Sequence, residues 1–193
     1  MSRFTEARFL LSAAAPTQFP PDGGAEVAFA GRSNAGKSSA INAILARRGL
    51  ARASRTPGRT RLINFFDLGG ERRIVDLPGY GYARVPERER LDWTPLIGAL
   101  CERGSLRGLF LIIDARRGVG ESDLGLIEWA APAVRAIHVL LTKADKLSAR
   151  EAAAVLPQAR DRLDGRASVQ LFSAVDGRGL TEAQRVLVSW LEG

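Results

Sequence analysis

The chain has 193 residues, of which 46% are hydrophobic and 25% charged, and its formal net charge is +7. This composition is typical of one soluble globular domain with a core of its own, and the longest apolar runs are far too short to cross a bilayer. The single Cys101 excludes an internal disulfide and favours the reducing cytoplasm. We therefore expect one domain over residues 1–193, a monomer with no membrane partner.

Residues 1–22 are expected to form a short N-terminal strand or arm rather than a signal peptide, because Glu6 interrupts their charged part. After this arm, apolar β-prone runs alternate with helical patterns. The runs lie at 26–30, 62–67, 72–76, 109–114, 137–142 and 169–172, and the helical patterns at 38–48, 87–103, 121–130, 149–163 and 181–191. Such alternation predicts a three-layer α/β fold, with a mostly parallel sheet flanked by helices. Ligands of these sheets bind beyond the carboxyl ends of the strands.

The first run is followed by GRSNAGKSS, in which Gly31, Gly36, Lys37 and Ser38 match the spacing GxxxxGK(S/T). Glycines let backbone N–H groups approach phosphate oxygens, the lysine reaches the outer phosphates, and the serine hydroxyl ligates Mg²⁺. Only three of the 28 basic residues are lysines, which indicates that a compact ammonium is required here. A strand, a glycine loop and a helix in this order predict a phosphate site at a helix N-terminus.

The second motif, DLPG at residues 76–79, ends the run at 72–76. Asp76 is expected to hold Mg²⁺ through a water, and Gly79 to offer its backbone N–H to a γ-phosphate. The same four letters also describe an ordinary turn. Their place one hairpin after the phosphate loop favours the nucleotide interpretation.

The third motif is LLTKADK at residues 140–146, which contains the other two lysines. The Asp145 carboxylate can accept hydrogen bonds from both N1–H and N2–H₂ of guanine, a donor pair that adenine lacks. The aliphatic stem of Lys143 would lie across the base, and a backbone N–H of the FSA segment, residues 172–174, would meet guanine O6. The alternative for TKAD alone is a helix N-cap with a solvated charge run.

In the order GRSNAGKSS, ARASRTPGRTRLINFF, VDLPGYGYARV, TKADK and LFSA, the motifs resemble those of the EngB (YsxC, YihA) family of ribosome-biogenesis GTP-binding proteins. This family belongs to the translation-factor-related P-loop GTPases, and the resemblance covers nearly the whole chain. It implies a G domain that hydrolyses GTP with Mg²⁺, binds the large ribosomal subunit or its precursor, and has a link to cell division and septation. Two departures from the general GTPase pattern are Thr142, where many have Asn, and Val175, where Lys is common.

The resemblance assigns Thr60 to the first switch, where its hydroxyl would complete the Mg²⁺ shell; spacing alone leaves Thr56 and Thr60 as rivals. Metal ligands are then Ser38 and Thr60, with Asp76 through water, and catalysis would involve Lys37, Thr60, Gly79 and Asn34. The residues expected to contact GTP or GDP are Gly31, Arg32, Ser33, Asn34, Ala35, Gly36, Lys37, Ser38, Gly58, Arg59, Thr60, Arg61, Leu62, Asp76, Leu77, Pro78, Gly79, Thr142, Lys143, Ala144, Asp145, Phe172, Ser173 and Ala174.

Slow intrinsic hydrolysis is expected because Tyr80 occupies the place at which many GTPases have a water-orienting glutamine. A phenol positions water poorly, and the ring is expected to turn away. The missing charge, or the positioning of the attacking water, would then come from another group. The candidates are an arginine of the first switch or of a partner, and a potassium ion held by Asn34. The alternative for Asn34 is a side chain that caps its own loop.

Residues 27–66 contain eight basic and no acidic side chains. Beyond the needs of the nucleotide, six arginines could bind ribosomal RNA: Arg47, Arg48, Arg52, Arg55, Arg59 and Arg61. Because no aromatic residue occurs from 30 to 64, contact with RNA phosphates and shape is expected rather than base stacking. The alternative is a solvated arginine-rich face. A second candidate function is a nucleotide-dependent RNA-binding module with incidental hydrolysis.

Overall fold

The computed structural model of the chain describes residues 4, 6–52, 62–80 and 94–193. In these residues we find seven strands: β1 (Arg8–Ala13), β2 (Ala25–Gly31), β3 (Ile63–Asp67), β4 (Arg72–Asp76), β5 (Leu106–Asp114), β6 (Ala136–Thr142) and β7 (Ser168–Leu171). The α-helices of the same residues are α1 (Lys37–Ile44), α2 (Thr94–Cys101), α3 (Glu121–Ala130), α4 (Ala149–Leu163) and α5 (Leu180–Glu192).

The strands form one sheet in the order β1-β3-β4-β2-β5-β6-β7. The five strands from β4 to β7 in this order run parallel to one another, whereas β3 pairs antiparallel with both β4 and the edge strand β1. The predicted α/β fold with a mostly parallel sheet is confirmed. The arm predicted at residues 1–22 contributes β1, the edge strand.

Two hydrophobic cores cover the two faces of the sheet, because successive side chains of a strand point to opposite faces. On one face, Phe29 of β2 and Phe110 of β5 stack with their ring centroids 4.8 Å apart, and α1 and α5 cover them. On the other face, Leu111 of β5 packs with side chains of α2, α3 and α4. All seven residues of β2 are buried, so the loop that follows this strand starts from a rigid base.

A buried ion cluster fastens the arm at the amino ends of the strands, opposite the edge that carries the motifs. The Glu26 carboxylate is fully buried and accepts hydrogen bonds from Arg73 Nη1 at 3.0 Å and from Arg103 Nε at 2.7 Å. The guanidinium of Arg103 also lies over the ring of Phe19, 5.7 Å from its centroid. Pairing with two arginines offsets the cost of burying this charge.

The helix predicted at 38–48 is shorter in the structure, because α1 ends at Ile44. The side chain of Asn42 holds the following chain against the helix: its Nδ2 donates to the Ala51 carbonyl at 2.8 Å and its Oδ1 accepts from the Ala51 N–H at 2.7 Å. Ala46 adopts a left-handed backbone with φ 53°. The segment 46–52, which we call the basic turn, therefore projects Arg47, Arg48 and Arg52 from the end of α1.

Candidate nucleotide-binding site

The phosphate loop, residues 31–38, leaves the end of β2 and enters the first turn of α1. Two of its glycines are required by the backbone. A Cβ at Gly31 would lie 2.8 Å from the Ile112 carbonyl oxygen of β5, and Gly36 has φ 98°. The loop thus combines close backbone approach with a helix N-terminus, the arrangement that binds phosphates.

Parallel pairing of β2 with β4 places Asp76 beside the phosphate loop. Lys37 Nζ donates a hydrogen bond to Asp76 Oδ1, and only 5% of Asp76 is exposed. The hydroxyl of the next residue, Ser38, has no hydrogen-bond partner among the residues that the structure describes. A free hydroxyl next to a buried carboxylate–lysine pair supplies oxygen ligands suited to Mg²⁺ and a cation for phosphate, so these residues fit the expected group.

The DLPG segment runs alongside the phosphate loop. Tyr80 N–H donates to the Gly31 carbonyl at 3.3 Å, and Ser33 N–H donates to the Tyr80 carbonyl at 3.2 Å. A Cβ at Gly79 would lie 2.8 Å from Ser33 Oγ. This close approach favours glycine here, and the backbone hydrogen bonds pair the end of the DLPG segment with the phosphate loop, so it does not stand as an isolated turn.

The phenol ring of Tyr80 is buried in the core formed with α2, α3 and α4. Its hydroxyl donates to Asp123 Oδ1 at 2.6 Å, and burial, together with this carboxylate, raises the pKa of Tyr80 above its usual value. The hydroxyl therefore stays protonated and keeps its donor role. The expectation that the ring turns away from the phosphate side is confirmed.

The guanine motifs meet at the ends of β6 and β7. Ser173 Oγ donates to Asp145 Oδ1 at 2.8 Å, and this hydrogen bond lowers the pKa of the Asp145 carboxyl. Ser173 Oγ in turn accepts from Val175 N–H at 3.1 Å. Ala174 is exposed, and within the described chain its N–H has no acceptor. The Asp145 carboxylate is thus bonded to the residue that precedes Ala174, an arrangement suited to guanine recognition by a carboxylate and a backbone N–H.

Thr142 fastens the TKAD segment to the phosphate loop. Its buried hydroxyl lies within hydrogen-bonding distance of the Ala35 carbonyl and 3.0 Å from the Ile113 carbonyl. A hydroxyl has one proton, so the two carbonyls share a single donor. The departure from Asn at this position therefore keeps a polar link to the phosphate loop.

The backbone of Lys143 is left-handed, with φ 59°, and its side chain extends back to the phosphate loop. There its Nζ donates to the Asn34 carbonyl at 2.6 Å. The same ammonium lies 2.9 Å from Oδ2 of Asp114, the last residue of β5. A cavity of about 200 Å³ is lined by Lys143, by the phosphate loop and by the loop that follows β5.

Sequence reasoning missed Asp114, Arg116 and Asp123 as parts of this neighbourhood. Asp114 ends a strand at the same sheet edge as Asp76, so the strand-end rule could have found it. Nothing in the sequence pattern marks Asp123, which accepts from the Tyr80 hydroxyl and lines the same cavity as Lys143.

Of the predicted site residues, Gly58, Arg59, Thr60 and Arg61 lie outside the described residues, as does Arg55. Leu62 is half-buried just before β3. Asn34 is exposed with φ 64°, and its side chain has no hydrogen bond within the described part of the chain, so the loop-capping alternative finds no support there.

The parallel sheet, the phosphate loop, DLPG and the guanine motifs on one sheet edge define a P-loop GTPase domain. A family model described as "50S ribosome-binding GTPase" matches residues 26–143. The "Probable GTP-binding protein EngB" of Azoarcus sp. (strain BH72) is 50% identical, with 99% of this chain and 94% of that protein covered. The protein of the same name from Coxiella burnetii (strain CbuG_Q212) is 48% identical, with coverage of 97% and 93%.

The chain belongs to the EngB family of GTP-binding proteins, as the resemblance of its motifs implied. Solved structures share the fold. A crystal structure of a probable GTP-binding protein engB has a TM-score of 0.66 at 19% identity, covering 87% of this chain and 99% of that one. Era from Aquifex aeolicus has a TM-score of 0.62 at 21% identity, covering 86% and 56%. In the described residues, no helix is both long and apolar enough to span a membrane.

Proposed function

We propose that this chain is a cytoplasmic GTP-driven switch that binds the large ribosomal subunit or its precursor during ribosome assembly. The description of the matching family model, which names the 50S ribosome, supports this partner. A link to cell division and septation belongs to the same proposal and rests on the family resemblance alone.

The observation that carries the proposal is the basic turn. Arg47, Arg48 and Arg52 are exposed on it, and no acidic residue lies between positions 27 and 66. The turn follows α1, whose first residue is Lys37, and precedes the segment that contains Thr60. A surface for RNA phosphates thus adjoins the nucleotide site along the chain, which favours coupling between the two ligands.

Nucleotide binding would use the described residues as follows. Lys37 would release Asp76 and bind the outer phosphates. Ser38 would hold Mg²⁺ directly and Asp76 through a water, with Thr60 as the further ligand that the resemblance implies. When bound, Mg²⁺ neutralises charge that develops between the β- and γ-phosphates. Asn34 is exposed, and its side chain has no hydrogen bond within the described residues, which supports the proposal of a potassium ion there.

Hydrolysis is proposed to be slow in the isolated protein. Tyr80 cannot orient the attacking water while its hydroxyl is held in the core by Asp123. A partner would therefore supply the missing charge or position, as it does for other GTPases that are slow alone.

The test is GTP turnover with Mg²⁺ in the absence and presence of purified large subunits. The proposal predicts stimulation of about tenfold or more, a modest share of what activating partners achieve. Stimulation should be lost in the double variant R48E/R52E and retained in R160E, which alters an exposed arginine of α4. Subunit binding without any stimulation would instead favour the second candidate, an RNA-binding module whose hydrolysis is incidental.

A further inference from the structure

The carboxylate of Asp114 has a complete set of hydrogen-bond donors. Oδ1 accepts from the backbone N–H of Arg116 at 3.1 Å and from its Nε at 3.0 Å. Oδ2 accepts from Arg116 Nη2 at 2.6 Å and lies 2.9 Å from Lys143 Nζ. A carboxylate offers about four acceptor sites, so all of them are occupied. Only 6% of Asp114 is exposed, and the two cations keep the pKa of its carboxyl well below the usual range.

This arrangement fixes Lys143 at three points. Its backbone is left-handed, its ammonium donates to the Asn34 carbonyl of the phosphate loop, and the same ammonium is paired with Asp114. The lysine stem therefore bridges the phosphate loop, the end of β5 and the TKAD segment. A lysine side chain loses much rotamer freedom when it is ordered, and here the folded protein has already ordered it.

We propose that Asp114 is a positioning residue of the guanine-nucleotide site, which acts by holding the Lys143 ammonium against the Asn34 carbonyl. The proposal rests on the guanine-nucleotide binding of this GTPase family and on no property of the ribosomal partner. Because the stem is ordered before the base arrives, less entropy is lost on binding, and nucleotide affinity is higher.

The contacts of Asp114 with Arg116 alone would give this carboxylate a different role. An aspartate that accepts from the N–H two residues later forms a common turn, and two further hydrogen bonds from the Arg116 side chain would stabilise it, so that Asp114 would then only shape the loop after β5. The two roles predict different effects of Arg116. Removing its side chain leaves the Asp114–Lys143 pair intact, and so spares a positioning role but harms a loop-shaping one.

The experiment measures the Kd of GDP by calorimetry for the full chain and for the variants D114N, K143M and D114N/K143M. Methionine keeps an apolar stem but cannot be anchored. Each single variant should bind GDP about tenfold more weakly. The double variant should bind no more weakly than K143M, because both changes remove the same interaction, the pair between Asp114 and Lys143. R116A should stay within about threefold of the unchanged chain.

The control is D67N, which removes an ion pair with Arg8 on the edge of the sheet and should leave the Kd unchanged. Losses that multiply in the double variant would overturn the proposal, and so would an R116A loss as large as that of D114N. An unchanged Kd in folded K143M would also overturn it, even if D114N failed to fold. No ribosome is present, so the result is independent of the subunit assay.

Discussion

The hydroxyl of Tyr80 donates a 2.6 Å hydrogen bond to Oδ1 of Asp123, a carboxylate that is 99% buried at the start of α3. Oδ2 of the same carboxylate accepts from the Gly120 N–H at 2.8 Å. The residue after DLPG is thereby tied to the core of the domain, on the face covered by α2, α3 and α4.

Replacing Tyr80 with phenylalanine should destabilise the protein and leave intrinsic hydrolysis nearly unchanged. The buried carboxylate would lose one of its two donors, which costs about 1–3 kcal/mol. The melting temperature should fall by several degrees for a chain of this size, while single-turnover GTP hydrolysis should stay within about twofold, since the phenol does not position water. A tenfold slower hydrolysis at an unchanged melting temperature would contradict this account.

Replacing Asp145 with asparagine should weaken GDP binding strongly and shift preference toward xanthine nucleotides. Guanine N2–H₂ would face an amide group instead of a carboxylate, at a cost of about 2–3 kcal/mol, or roughly a hundredfold in Kd. The asparagine amide can instead donate to the C2 carbonyl of xanthine. Titrations with GDP and XDP measure the change in base preference. An unchanged GDP affinity would refute the assignment of TKAD as the guanine-binding motif.

Replacing Thr142 with valine should loosen the phosphate loop. The variant keeps the shape of the side chain but removes the donor for the Ala35 and Ile113 carbonyls. We expect a loss of about 1–2 kcal/mol in the free energy of unfolding, accompanied by faster release of GDP. T142S, which retains the hydroxyl, serves as the control and should resemble the unchanged chain in both denaturant titration and stopped-flow measurement.

The only histidine of the chain, His138, should make stability fall as the pH drops below about 6.5. Burial lowers the pKa of His138, whose ring nitrogens lie 2.6 Å from Ser168 Oγ and 3.0 Å from Gln170 Oε1. Below the unfolded pKa of 6.5 the unfolded chain takes up a proton that the native ring resists, so stability present above that pH is lost. The slope can reach about 1.4 kcal/mol per pH unit.

The measurement is the free energy of unfolding from pH 7.5 to 5. Replacement of His138 by asparagine should flatten the profile in this window, whatever it does to the absolute stability. A slope that persists in the variant would show that other groups dominate the titration.

The sequence predicted those elements whose ends are determined by residues close in sequence, such as helix caps and turn glycines. The helix predicted at 149–163 is confirmed as α4, because Ser148 and Glu151 form a capping box and Asp164 ends the helix at φ 46°. The phosphate loop was equally predictable, since its glycines are demanded by the backbone.

Features fixed by contacts distant in sequence were not predictable. The end of α1 depends on the two hydrogen bonds between the Asn42 side chain and the Ala51 backbone. It also depends on Gln184 of α5, whose side chain donates to the Ile44 carbonyl at 2.9 Å. The role of Asp114 depends on a lysine 29 residues further along the chain, which parallel pairing of β5 with β6 brings alongside. Periodicity and motif spacing carry no information about such contacts.

The central claim, a nucleotide-dependent switch that binds the ribosome, is tested most directly by co-sedimentation with large subunits or their precursors. The protein would be loaded with a non-hydrolysable GTP analogue or with GDP, across a series of salt concentrations. Coupling of about 1–3 kcal/mol is expected, so the GTP form should bind some five- to hundredfold more tightly. R48E/R52E should lose most of the binding with a shallower salt dependence, whereas R160E should keep it. Equal binding in both nucleotide states would contradict the switch, and undiminished binding of R48E/R52E would contradict the basic turn as its contact surface.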